Sequence, residues 1–220
     1  MNSNRTPVNI MDEVKLFSYA CLGVMQKIAA GSINGFNALF SVDSDLRAQF
    51  YLDRGIQHTK RARYWQAAPL LEQVVRQWPS NEHALFHLGY CYLKTERVKE
   101  GIAMLERAVQ VEKSSPRVAS ILGMAYIQVK EYQKAATLLQ QAIERTPGNF
   151  NLHYRLGLAL DHLGEYDAAI AAFQEALKIR PDETKVYQSI GFILDQQGKH
   201  DEAVFFFKKT TELKEGYQES

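Results

Sequence analysis

Residues 150–183 read FNLHYRLGLALDHLGEYDAAIAAFQEALKIRPDE, and this stretch decides the fold. It holds two runs of helix-forming residues with apolar positions three and four apart, joined at Leu163-Gly164-Glu165-Tyr166-Asp167. Pro181 closes the second run, because proline cannot continue a helix. The same unit recurs on both sides. Glycines stand at 55, 89, 123, 157 and 191, always 34 residues apart. Ala67, Gly101, Ala135, Ala169 and Ala203 repeat in the same phase, and so do Leu71, Leu105, Leu139, Phe173 and Phe207. Val74, Ala108, Ala142, Ala176 and Thr210 form a fourth series. Small residues in both helices of a unit allow a close antiparallel pair. The large residue four positions after the second small one is expected to fill the space between units. Tyr64, Tyr132 and Tyr166 are expected to cap the junction before the second helix, and Pro79, Pro147 and Pro181 to end it.

A 34-residue helix–turn–helix period is that of the tetratricopeptide repeat. Leu156, Gly157, Tyr166, Ala169, Phe173, Ala176 and Pro181 resemble that family's consensus closely. The predicted fold is therefore all-α, a solenoid of five repeats at 48–81, 82–115, 116–149, 150–183 and 184–217, with a degenerate repeat at the N-terminus. The resemblance implies a right-handed superhelix. Three segments are predicted: residues 1–47 as the degenerate, mobile repeat, 48–115 as a two-repeat lobe and 116–217 as a three-repeat lobe. Ser114-Ser115-Pro116 stands where the lobes meet, and proline biases Ser115 away from helix, so the first lobe is expected to move against the second. In residues 1–47 Cys21 and Ile33 occupy the small-residue positions, and Gly31, Ser32 and Gly35 weaken helix formation.

Bulk properties narrow the function. Lys plus Arg total 26 and Asp plus Glu total 25, a net charge of +1, so no strong field draws nucleic acid or an anionic membrane. Cys21 and Cys91 form no CxxC pair and no disulfide framework, as in a reducing compartment. The apolar run Leu16 to Met25 is shorter than the roughly 20 residues a membrane span needs. Asp12 and Glu13 precede it where a signal peptide is basic. No phosphate loop, nucleophile elbow or paired-carboxylate motif occurs, so no enzyme activity and no cofactor are expected. His83 and His87 have a helix spacing that metal ligands use, but no third ligand joins them at a suitable spacing, and no metal site is predicted. Lys60, Arg61 and Arg63 read as a solvated turn.

In the tetratricopeptide family the first helix of each unit lines the concave face. That geometry carries protein binding to His83, Phe86, His87, Tyr90, Arg117, Met124, Tyr154, Arg155, Lys185 and Phe192. Aromatic and Met side chains with Arg and Lys at their edges suit an amphipathic or extended peptide. The clamp that grips chaperone C-termini is missing: Leu52 and Phe86 replace its lysine, Ile56 and Tyr90 its asparagine.

A narrower resemblance rests on Asp12-Glu13-Val14, Phe40-Ser41-Val42, Asp53-Arg54-Gly55-Ile56 and Leu70-Leu71-Glu72-Gln73-Val74, with His87-Leu88-Gly89, Tyr126-Ile127-Gln128-Val129 and Arg155-Leu156-Gly157-Leu158-Ala159-Leu160-Asp161 behind them. These resemble the magnetosome-associated tetratricopeptide family of magnetotactic bacteria. The resemblance implies a cytoplasmic scaffold coating the magnetosome membrane, with other magnetosome proteins and copies of itself as partners. It implies membrane attachment that is peripheral and goes through a partner. It also implies self-assembly, in which the N-terminal repeat enters a neighbour's groove through apolar residues that include Phe17, Val24, Ile28, Phe36 and Phe40. A monomeric adaptor for another bacterial assembly, such as envelope or pilus biogenesis, is the alternative.

Overall fold

The computed structural model describes residues 15, 18–21, 44–111 and 115–216. Ten helices carry the repeats: α1 (Ser44–Lys60), α2 (Tyr64–Gln77), α3 (Glu82–Lys94), α4 (Val98–Val111), α5 (Pro116–Gln128), α6 (Tyr132–Arg145), α7 (Phe150–Leu163), α8 (Tyr166–Ile179), α9 (Thr184–Gln196) and α10 (His200–Gly216). No strand occurs among the described residues. Each odd-numbered helix pairs with the even one that follows it, as the 34-residue period predicts. Phe17, Val24, Ile28, Phe36 and Phe40 lie outside the described residues.

The chain divides into two compact units, Met1–Val111 and Glu112–Ser220. In the first, Leu52, Ala67, Leu71, Val74, Ala84, Leu88 and Cys91 form the core. The second has two clusters. One gathers Ala135, Leu139, Leu152, Leu156 and Ala159, the other Phe173, Ala176, Val186, Ile190 and Ile193. In every cluster the second helix of one repeat meets the first helix of the next, so burial accumulates along the stack as in other solenoids.

The glycine series is a packing requirement. A Cβ on Gly55, Gly123, Gly157 or Gly191 would lie 2.6–2.8 Å from the side chain of Leu71, Leu139, Phe173 or Phe207. The large series thus covers the glycine of its own repeat as well as reaching the next one. This corrects the expectation that it only fills the space between repeats. Leu139 stands over Gly123, while Ala135 is fully buried nearby. The two small series meet directly in the second repeat, where Gly89 and Gly101 bring their backbones together: a Cβ on either would sit 3.0 Å from the other's carbonyl oxygen.

The helix ends follow local chemistry. Asn81 accepts a bond from the Ala84 amide (2.9 Å) at the start of α3, and Asn149 one from Asn151 (3.0 Å) at the start of α7. Ser115, in extended conformation before Pro116, accepts from the Val118 amide at the start of α5. Pro79, Pro147 and Pro181 each fall one residue beyond the C-cap of α2, α6 and α8. Between the two helices of every repeat one residue takes positive φ: Ala62, Glu96, Lys130, Gly164 and Gly198. These are again 34 apart, and only the last two have the glycine that this conformation favours.

Tyr64, Tyr132 and Tyr166 begin α2, α6 and α8 and do not merely precede them. Each reaches the next repeat. Tyr64 meets the edge of Tyr90, Tyr132 stacks on His162 at 4.6 Å, and the Tyr166 hydroxyl accepts from Gln196 Nε2 at 2.9 Å. They tie neighbouring repeats together, a role beyond the cap expected of them.

Candidate interaction surface

The first helix of each repeat presents the residues in question, and the two units present different chemistry. In the first unit α3 is apolar nearly all round, and most of its side chains are buried. Phe86 and His87 are both only 4% exposed, so neither forms the groove wall predicted for it. Phe86 stacks parallel to Tyr90 and meets the His87 ring edge-on at 5.1 Å. His83 is exposed and pairs with Glu82 at 3.4 Å. One histidine therefore faces water and the other the core. Tyr90 is half-buried, with Lys94 Nζ 5.6 Å from its ring centre. Tyr90, Lys94 and His83 are the side chains of this cluster that water reaches.

Behind that face, the Tyr92 hydroxyl donates to Glu72 at 2.7 Å, and the Arg97 guanidinium lies 3.9 Å over the Tyr92 ring. Burial, with the Glu72 hydrogen bond and charge, pushes the phenol up to about 12, while Arg97 opposes the rise. Cys91 is buried against Thr59 Oγ1 (3.3 Å), and burial raises its thiol. Both cysteines are free thiols, and Cys21 is exposed.

The second unit carries the denser cluster. Tyr154 on α7 stacks on Phe150 with centroids 5.8 Å apart and leans on Phe173. Lys185 Nζ sits 5.1 Å from the Tyr154 ring and 5.5 Å from Phe150. The Arg180 guanidinium lies 4.6 Å from Phe150 on the same cluster. Glu183 holds both cations from the side, at 3.2 Å from Lys185 and 3.7 Å from Arg180. Burial raises the Tyr154 phenol, and its hydrogen bond with Ser189 works against that rise. Asp161, further along α7, is also raised by burial, partly offset by His162. Cations over aromatic faces at these distances contribute roughly 0.5–1 kcal/mol each where water reaches them.

The remaining predicted residues separate into two kinds. Met124 and Phe192 are exposed, and Phe192, 65% accessible, rests edge-on against Phe207 at 5.3 Å. Arg117 is exposed at the start of α5. Arg155 differs from the expectation of an edge charge: it is half-buried and donates through Nη1 to the Ser120 carbonyl, tying α7 to α5. Phe150 and Arg180 were missed by sequence reasoning. Phe150 opens a helix where the other repeats have Ala48, Glu82, Pro116 and Thr184, and Arg180 precedes a helix-ending proline. Neither position is marked by the period.

Among the described residues no group of three His, Cys, Asp or Glu side chains is placed to hold a metal ion, and no helix is long and apolar enough to cross a membrane.

Models of the tetratricopeptide repeat match residues 59–125, 122–184 and 184–217. Magnetosome protein MamA of Paramagnetospirillum magnetotacticum is 43% identical over 83 residues, which are 38% of this chain and 38% of that protein. The chain thus spans well under half the length of the curated relatives it matches. A solved MamA structure from strain MSR-1 is 42% identical, with a TM-score of 0.70, over 78% of this chain and 99% of its own. One from strain AMB-1 is 45% identical, also with a TM-score of 0.70, over 76% of this chain and 98% of its own.

Proposed function

The chain belongs to the MamA family of tetratricopeptide-repeat proteins, and from that premise we propose that it is a non-catalytic scaffold that assembles with itself into a coat on the cytoplasmic side of the magnetosome membrane. Residues 1–43 of one copy, the part of the predicted 1–47 segment that precedes α1, dock on the first-helix face of the next, and other magnetosome proteins bind the assembled array. Attachment to the membrane goes through such a partner.

The half-buried Tyr154 ring with the exposed cations Lys185 and Arg180 beside it, all resting on the buried Phe150 ring, is the observation that carries this reading. A half-buried tyrosine ring flanked by two cations, with Met124, Phe192 and Arg117 exposed on neighbouring first helices of the same unit, suits an apolar helix that carries acidic residues. The N-terminal segment has that composition: Asp12 and Glu13 precede Phe17, Val24 and Ile28. Each copy carries one tail and one face, so the contact is head-to-tail and propagates without closing a pair.

Replacing Arg117 and Lys185 together by Glu reverses the charge at exposed positions and leaves the core alone. Native mass measured at low salt is expected to fall from large particles to small species, with the far-ultraviolet circular dichroism unchanged. Undiminished particles in the double variant would refute the docking face. A wild-type chain that is monomeric throughout would favour the adaptor reading instead.

A further inference from the structure

The last helix, α10, departs from the repeat on its outward side. Phe205 is 64% exposed. The register puts it in line with Pro69, Ala103, Thr137 and Ala171, so the other four repeats have a small residue or proline there. Beside it Val204 is 48% exposed. Its counterpart one repeat earlier, Ile170, packs on the cluster that includes Val186 and Ile190 of the following helix. Val204 thus occupies a stacking position with no sixth repeat to cover it among the described residues. Asp201 lies one turn before this pair and Lys208 one turn after, both exposed. Positions 201, 204, 205 and 208 follow the i, i+3, i+4, i+7 spacing of a single helix face, apolar at the centre, acidic toward the N-terminus and basic toward the C-terminus.

We propose that α10 of one copy pairs with α10 of a second copy, antiparallel, through this face. A two-fold axis midway between residues 204 and 205 sets Val204 against the partner's Phe205 and Asp201 against the partner's Lys208. Both exchanges occur twice, as an isologous contact requires. A parallel pairing would instead oppose Asp201 to Asp201 and Lys208 to Lys208, so the charges select the antiparallel register. The contact uses neither residues 1–47 nor the first-helix face, and it stands whether or not the docking proposed above holds. One helix pair buries less than the roughly 800 Å² per partner of a standard interface, so the pairing is weak alone and gains strength when many copies are held together.

Cysteine cross-linking in the full-length chain tests the register directly. In a Cys21→Ser background, one preparation carries Asp201→Cys and another Lys208→Cys. A short bis-maleimide, matched to the roughly 8–10 Å between paired helices, is added to each alone and to their mixture. The mixture is expected to give at least ten times more cross-linked dimer than either alone, and Phe205→Glu in both chains is expected to abolish the excess. Equal yields in the three samples, no cross-link, or an excess that survives Phe205→Glu would overturn the proposal. The same mixture carrying Arg117→Glu and Lys185→Glu is expected to keep its excess over either preparation alone, at a lower total yield because the copies are no longer held together, which separates this contact from the docking face.

Discussion

Gly157 is held to glycine by the ring of Phe173, whose Cε1 would be 2.6 Å from an added Cβ. Alanine gains about 1 kcal/mol of helix propensity over glycine, but overpacking a filled site costs about 1–3 kcal/mol. Gly157→Ala is therefore expected to destabilise the wild type in urea unfolding. In a Phe173→Ala background the ring is gone, and the same change should become stabilising. A cycle without that reversal would place the constraint elsewhere. Lys130 shows the opposite imbalance. It adopts φ 64°, a left-handed conformation that Gly164 and Gly198 occupy without strain in the later repeats. Lys130→Gly is expected to raise the stability of the chain by up to about 1 kcal/mol, and Gly164→Ala to lower it by about 1 kcal/mol. Both are read from shifts in the urea midpoint.

The elements were largely legible before the structure, because period and helix terminators act locally. Four residue series and three prolines located the described helix pairs. What stayed hidden was set by tertiary contact. Ala62, Glu96 and Lys130 carry no sequence mark of their backbone conformation, since the neighbouring helices impose it. Phe86 and His87 sit at family groove positions, yet α3 is so apolar that both are drawn into packing. Arg155 looked like an edge charge until the Ser120 carbonyl was found beside it. The junction of α2, α3 and α4 adds a pH response. The Tyr92 phenol is raised from 10.0 to about 12, so the folded state holds the neutral form beyond the point where the unfolded chain ionises. Stability is then full below pH 10 and falls as pH rises through 12. Tyr92→Phe gives up the bond to Glu72, at a cost of about 1 kcal/mol near neutrality. Its deficit relative to wild type should narrow between pH 10 and 12, followed by urea midpoints across that range. A constant deficit would remove Tyr92 from the alkaline response.

At the scale of the molecule, one sequence supplies both a scaffold of self-sufficient repeats and a segment without the small residues that such repeats need. Among the described residues, the stacked cores at Leu71, Leu139 and Phe173 are built from repeat residues. Each cluster is completed by contact between neighbouring repeats, so the repeats are expected to fold without the segment that precedes Ser44. The proposed docking face was partly legible: Tyr154, Lys185, Met124 and Phe192 were named from the repeat register, while Phe150 and Arg180 emerged only from the geometry that sets them beside Tyr154. Light scattering on the full chain and on a chain lacking residues 1–43, which keeps α1 whole, at the same low micromolar concentration, tests the central claim most directly. The account predicts large particles for the full chain and, for the shortened one, helical species no larger than the α10-linked pair. Large particles formed by the shortened chain would contradict it.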